Sequence, residues 1–113
     1  MPYASTKQTH GALTIVRPTS TLTAEITEEF AAEAMAEVSR TAGRLAIDLT
    51  ASAFLDSRAL EVLLDVAEAS GNAGQPCRLV GVSDTVNEIL QLTNLTDAFR
   101  IFEDAPAAAR DLA

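Results

Sequence analysis

The residues of this sequence that most suggest chemistry are Asp56 and Ser57, where an apolar run ends and a helical pattern begins. A serine in the first turn of a helix after a buried strand lies where open α/β sheets place their functional sites. A phosphoryl group there would meet the free amides and the positive end of the helix. Helix capping is the second interpretation, because Asp or Ser at a helix start accepts hydrogen bonds from the same amides, at about 1 kcal/mol. The residues alone favour capping and leave both roles open.

Catalysis by Ser57 itself is not supported by the rest of the sequence. A serine hydrolase needs a base, usually a histidine that an acid orients, and His10 is the only histidine among 113 residues. The G-x-S-x-G elbow is missing, and "GNAG" (71–74) lacks the Gly-Lys-Ser/Thr ending of a phosphate loop. The sequence therefore predicts no catalytic residues and a protein that is not an enzyme.

Composition limits the remaining classes of function. The net charge is −8, so nucleic-acid phosphates would repel the chain. Seven of the eight basic residues are arginine. The single cysteine, Cys77, cannot form an internal disulfide, and without a Cys/His cluster we expect neither a metal nor a cofactor. No apolar run approaches the ~18–20 residues that span a bilayer. These features predict one cytoplasmic domain over residues 1–113, without membrane insertion.

Hydrophobic periodicity alternates between strand and helix along the chain. Short links between alternating elements favour an α/β domain with parallel strands joined by right-handed crossovers. We therefore predict a mixed, mostly parallel sheet of four to five strands with about four helices. The predicted strands are 11–18, 44–49, 77–82 and 98–103, with an additional candidate at 3–10; the predicted helices are 23–39, the segment after Ser57, 83–94 and the C-terminal segment.

The two longest of these helices each have a predicted core face. In the first, the face consists of Ile26, Phe30, Ala34 and Val38, with glutamates between them, and Thr23 is a candidate N-cap. In the helix after Ser57, the apolar stripe is Leu60, Leu63, Leu64 and Ala67. Because both helices are amphipathic, we expect each to pack one side against the sheet.

The segment 45–101 resembles the STAS domain, the fold of bacterial anti-sigma factor antagonists. The resemblance rests on "LAIDL", on "FLDS" opening a helix with "ALEVLL", and on "CRLVGVS" followed by "TVNEILQLTNLTDAF". Residues 14–38 match only in the order of elements. In that family the serine after the aspartate is phosphorylated by a partner serine kinase, which is itself the anti-sigma factor. The resemblance therefore implies that Ser57 is the phospho-acceptor.

The sequence departs from the family pattern at three places. Ser or Thr and then Gly usually follow the acceptor, whereas this chain has Arg58 and Ala59. Arg58 places a cation beside the acceptor, where it could pair with a phosphate or alter kinase docking. Near the first helix the family often has Gly-Glu-x-Asp, but here Thr21 or Thr23 stands near the place of that acid.

The resemblance implies a non-enzymatic protein-binding switch, an anti-sigma factor antagonist. Its unphosphorylated form would bind the serine-kinase anti-sigma factor and free the sigma factor, and its phosphorylated form would release the kinase. We expect a monomer or weak dimer. The alternative hypothesis is a STAS scaffold or accessory subunit of a transporter ATPase or sensory complex, in which Ser57 only caps a helix. The predicted partner-binding residues are Asp56, Ser57, Arg58, Thr21 and Thr23.

Overall fold

The structure, a computed structural model, describes residues 3–112 of the chain. Strands and helices alternate as the sequence predicted. In chain order the elements are β1 (Ser5–His10), β2 (Leu13–Pro18), α1 (Ala24–Thr41), β3 (Leu45–Asp48), α2 (Ser57–Asn72), β4 (Arg78–Val80), α3 (Asp84–Leu92), a 3₁₀ turn (Thr96–Ala98), β5 (Arg100–Phe102) and α4 (Ala105–Leu112).

The five strands form one sheet in the order β1-β2-β3-β4-β5. β1 and β2 are antiparallel because only a two-residue turn joins them, and Gly11 adopts a φ of 61° in that turn. The other three pairs are parallel, since a helix or a helix and a turn separates their strands. The predicted α/β fold with a mixed, mostly parallel sheet is confirmed, and the candidate strand at 3–10 is β1.

Helices cover both faces of the sheet. The larger core lies on the face covered by α1, α2 and α3, and the smaller core lies beneath α4. All four residues of the predicted α1 face are buried. The predicted stripe of α2 is wrong by about one position, because Leu63 is fully buried whereas Leu60, Leu64 and Ala67 are only partly so. The side chains that α2 buries are Ala59, Val62, Leu63, Val66 and Ser70.

A polar network fastens edge strand β1 to α1. Glu33 accepts hydrogen bonds from the Tyr3 hydroxyl at 2.6 Å and the Ser5 hydroxyl at 2.9 Å. One turn later, Glu37 is buried and lies 2.7 Å from Arg40 Nη2 and 3.8 Å from Lys7 Nζ. The hydrogen bonds from Arg40 hold the pKa of Glu37 below its ordinary value. The charged form of Glu37 therefore favours the folded state.

Glu37→Gln is expected to lower the free energy of unfolding at pH 7 by roughly 1 kcal/mol, because the amide keeps some hydrogen bonds but loses both ion pairs. A lowered folded-state pKa gives stability above the ordinary pKa that disappears as the pH falls through the folded-state value. Urea titrations from pH 7 to pH 3 should therefore show a smaller loss of stability in the variant than in the parent. Glu88→Gln, at an exposed position of α3, is the control. Equal acid dependence in both variants would contradict this role.

Gly71 offers a simple test of helix propensity in α2. Its φ is not positive, and a Cβ added there would meet no atom within 4 Å. Alanine restricts the unfolded chain more than glycine does, so Gly71→Ala should raise the free energy of unfolding by about 0.4–1 kcal/mol. A higher urea midpoint with an unchanged denaturant dependence would agree with this, and a lower midpoint would contradict it.

Candidate functional site

The predicted site residues lie at the carboxyl edge of the parallel strands. The loops that follow β2, β3 and β4 all leave the sheet at this edge, where open α/β sheets place their sites. The β3–α2 loop covers residues 49–56 and delivers Ser57 as the first residue of α2. Asp56, Ser57 and Arg58 are therefore consecutive at the start of a helix.

Asp56, not Ser57, caps α2. Its Oδ1 accepts a hydrogen bond from the backbone N–H of Ala59 at 2.8 Å, and its carbonyl accepts from the N–H of Leu60 at 3.0 Å. The Ser57 side chain is exposed and its hydroxyl makes no hydrogen bond within residues 3–112. The hypothesis that Ser57 is the helix cap is therefore wrong, because Asp56 occupies that position. Since Asp56 accepts the hydrogen bond from the amide of Ala59, the exposed Ser57 hydroxyl is left without a capping role.

Arg58 joins α2 to α1. Its guanidinium makes a two-pronged contact with Glu28, with Nε 2.9 Å from Oε2 and Nη2 2.7 Å from Oε1. Its Nη1 lies 3.1 Å from Glu61 Oε2, one turn further along α2. Hydrogen bonds from Arg58 lower the pKa of Glu28, and those same contacts raise the pKa of Arg58. In this structure the cation beside Ser57 is thus held by two carboxylates.

Thr21 ties two loops of the site together. Its Oγ1 accepts a hydrogen bond from the backbone N–H of Ala53 at 3.2 Å. Beside it, the fully buried Ser52 hydroxyl donates to the Ser20 carbonyl at 3.3 Å. Through these bonds the β2–α1 loop supports the loop that presents Ser57. The role predicted for Thr21, direct contact with a partner, stays a prediction.

Thr23 precedes the first residue of α1, as the sequence predicted for an N-cap. Its side chain is exposed and makes no capping hydrogen bond, whereas its carbonyl accepts from the N–H and the hydroxyl of Thr27. Further along α1, Glu28 is the carboxylate that pairs with Arg58 beside Ser57.

A contact that depends on a glycine shapes the β3–α2 loop. Thr50 follows β3 and donates its backbone N–H, at 2.8 Å, and its hydroxyl to Asp48 Oδ1. Gly81, just after β4, has a φ of 68°, and a Cβ there would collide with Thr50 Oγ1. Because Gly81 has no side chain, Thr50 of the β3–α2 loop can pack against the residue that follows β4.

One exposed aromatic residue stands beside the acceptor. Phe54 precedes Ser57 by three positions and is 46 % exposed, although the next residue, Leu55, is buried. Asp56 follows two positions later, and the carboxylates of Glu28 and Glu61 are paired with Arg58, four positions later. An exposed ring within an acidic surface is a feature that interfaces use as an anchor. In the sequence Phe54 belongs to an apolar run, which gives no sign that its ring is exposed.

The histidine of the described residues does not lie at this edge. His10 ends β1 beside the start of β2, so it lies at the opposite edge of the sheet from Ser57. Within residues 3–112 no group of three or more His, Cys, Asp or Glu side chains could hold a metal ion. Burial raises the pKa of the Cys77 thiol to about 12, so it is an unreactive core group.

The fold and the site together define the class of protein. A family model described as the STAS domain matches residues 3–108, and this chain belongs to that family. No curated protein matches the sequence. Among residues 3–112, no helix combines the length and the apolar character needed to cross a membrane.

Solved structures share the fold, and three of them illustrate the similarity to this chain. An anti-sigma factor antagonist from Mycobacterium paratuberculosis is 20 % identical with a TM-score of 0.83, over 96 % of this chain and 92 % of that one. A STAS domain protein from Planctomyces limnophilus, also named an anti-sigma-factor antagonist, is 21 % identical with a TM-score of 0.81 over 100 % of both chains. The Bacillus cell fate determinant SpoIIAA, solved in its phosphorylated form, is 15 % identical with a TM-score of 0.70, over 96 % of this chain and 99 % of that one.

Proposed function

We propose that this protein is an anti-sigma factor antagonist, a non-enzymatic switch controlled by phosphorylation of Ser57. The observation that carries the proposal is the exposed Ser57 hydroxyl at the first position of α2, with the cap supplied by Asp56. Two of the similar structures are named as antagonists of this kind. A third was solved in a phosphorylated form, so this fold accommodates a phosphate.

The chemistry is a phosphoryl transfer in which the partner is the enzyme and this chain is the substrate. Ser57 Oγ forms a bond to the γ-phosphorus of ATP, the bond from that phosphorus to ADP breaks, and ADP leaves. The kinase takes up the hydroxyl proton, since no side chain within residues 3–112 accepts a hydrogen bond from Ser57. An exposed hydroxyl without an internal hydrogen bond is suited to this role because nothing must be broken before transfer.

Phosphorylation changes the local charge sharply. A phosphoserine adds about −1.5 to −2 charges at pH 7, and here it arrives between Asp56 and the carboxylates that hold Arg58. The Ser57 side chain lies outside both cores. We therefore expect the fold to persist while the surface that the partner contacts becomes strongly anionic.

The chemistry of this surface indicates what the partner must offer. The unphosphorylated edge presents an exposed phenyl ring, neutral hydroxyls and carboxylates of α1 and α2. A complementary partner surface would be basic at its rim, with an apolar pocket for Phe54. The serine-kinase anti-sigma factor is the proposed partner.

Incubation with the candidate serine kinase and ATP, followed by intact-mass spectrometry, tests the assignment of the acceptor. We expect a mass gain of one phosphoryl group in the parent and none in Ser57→Ala. Ser39→Ala, at an exposed position of α1, should be phosphorylated like the parent. Phosphorylation of Ser57→Ala to the same extent would refute the site. Failure of any kinase to modify the parent, together with equal kinase binding by the parent, Ser57→Ala and Ser57→Asp, would favour the scaffold or accessory-subunit hypothesis.

Phe54→Ala tests the partner surface independently of phosphorylation. Truncating an aromatic anchor typically costs about 2 kcal/mol or more of binding energy, which corresponds to a loss of affinity of roughly 30-fold or more. Leu92→Ala is the matched control, since Leu92 is 79 % exposed at the carboxyl end of α3, away from Ser57. Calorimetric titration with the kinase should separate the two variants. Equal affinities for both would exclude Phe54 from the interface.

A further inference from the structure

We propose that Arg58 is the internal partner of a phosphate on Ser57 and that phosphorylation transfers this cation away from Glu28. The inference rests on the proposed phosphorylation and names what the modification does inside the protein. It starts from a juxtaposition: an exposed hydroxyl stands next in sequence to a guanidinium that bridges two helices. The bridge consists of surface ion pairs, which are weak and exchangeable.

A phosphate on Ser57 would compete for Arg58 with its present partners, Glu28 and Glu61. Its Nη1 is 3.1 Å from a single oxygen of Glu61, and the forked contact to Glu28 joins it to a different helix, 30 positions away in sequence. All three side chains are substantially exposed, with 43 % for Arg58 and 64 % for Glu28. Solvent therefore weakens the pairing that exists before phosphorylation.

A phosphate has two advantages over Glu28. It carries up to twice the charge of a carboxylate and offers three acceptor oxygens that match the fork of a guanidinium. Successive side chains of a helix do not face each other, so the pairing requires the long Arg58 side chain to fold back across the start of α2. It does not require two helices to keep a fixed relation. The phosphate simultaneously repels Glu28 and Glu61. Both effects move Arg58 towards Ser57.

The structural consequence falls on α1. Glu28 loses its forked partner, so the contact between the start of α2 and the first half of α1 weakens. The proposed partner surface includes residues from both helices. Phosphorylation would thus alter that surface in two ways, by adding an anion and by releasing a cross-link.

Phosphorus-31 NMR measures the pairing directly. Phosphoserine is incorporated at position 57 during translation, so the experiment needs no kinase. The second pKa of the phosphate, near 6 in an unpaired group, should be lower in the parent protein than in Arg58→Gln by about half a unit or more. Glu28→Gln should lower it further, because the competing carboxylate is removed.

Two more variants complete the design. Arg58→Lys should give an intermediate pKa, since lysine keeps the charge but loses the fork. Arg110→Gln removes an exposed arginine of α4, on the other face of the sheet, and should leave the phosphate pKa unchanged. An identical titration in the parent and Arg58→Gln overturns the inference, even where phosphorylation still releases the kinase. Conversely, a lowered pKa in a protein that no kinase modifies would support the pairing and refute only the proposed function.

Discussion

Ser57→Glu is expected to weaken binding of the serine-kinase anti-sigma factor by roughly 100-fold or more. The substitution places a carboxylate on an exposed position between Asp56 and the Arg58 bridge, where no charge stands now. Anions brought into a complementary interface cost several kcal/mol when they meet like charge or remain unpaired. The expected loss of about 3 kcal/mol corresponds to that change in affinity. Titration calorimetry at physiological ionic strength measures it.

Two substitutions at the same position separate charge from shape. Ser57→Gln is close in size to the glutamate variant but neutral, so it should lose much less affinity than Ser57→Glu. Ser57→Ala should keep most of the binding and lose the capacity to be phosphorylated. Thermal unfolding should be similar for all of these variants, because Asp56 retains the cap. Equal weakening by Gln and Glu would show that size, not charge, operates the switch.

Most of the fold follows from patterns that are local in sequence. The α1 face repeats at helical spacing, and Ile26, Phe30, Ala34 and Val38 are all buried as predicted. The strand predicted at 77–82 corresponds to β4, which is shorter and covers Arg78–Val80. It is predictable because an apolar run bounded by a turn is a local signal. The α2 face was harder to place because Leu60, Leu64 and Ala67 flank the buried stripe on its partly exposed side. Hydrophobic periodicity predicts that the segment is a helix, but which of its faces is buried depends on the elements against which it packs.

Charged residues in the interior were less predictable. Arg78 lies on the sheet face beneath α4, 2 % exposed, and its Nε donates to Asp111 at 3.0 Å. Asp111 also accepts from Arg100 at 2.6 Å, which lowers the pKa of that carboxyl. This pairing spans 33 positions between Arg78 and Asp111. No pattern within one element reveals such a contact, so the sequence gives no sign that β4 buries an arginine.

The site shows the same division. Asp56 and Ser57 were recognised because a strand end, an acid and a hydroxyl adjoin in sequence, yet only the geometry assigns the cap to Asp56. Glu28 was missed because its contact with Arg58 crosses from one helix to another. The acceptor is therefore predictable from local sequence, whereas the charges that surround it depend on how α1 and α2 pack.

Gly81→Ala is expected to lower the free energy of unfolding by about 2–5 kcal/mol. A left-handed backbone costs roughly 1–2 kcal/mol for a residue with a Cβ, and Gly81 has a φ of 68°. The added methyl also collides with Thr50 Oγ1, which cannot turn away without losing its bond to Asp48, and overpacking adds about 1–3 kcal/mol. Urea unfolding measures the total, with Gly71→Ala as the control for substitution of a glycine.

A double-mutant cycle isolates the collision. In a Thr50→Ala background the hydroxyl is gone, so the cost of Gly81→Ala should fall towards the backbone strain, about 1–2 kcal/mol. The closest remaining contact of the added Cβ is then Asp48 Oδ1, at 3.2 Å. The difference between the two backgrounds gives the coupling energy between the added methyl and the Thr50 hydroxyl. Because the β3–α2 loop presents Ser57, the single Gly81→Ala variant should also be phosphorylated more slowly, and Thr50→Ala should restore part of the rate. An identical loss of stability in both backgrounds would contradict the collision and assign the whole effect to the φ angle.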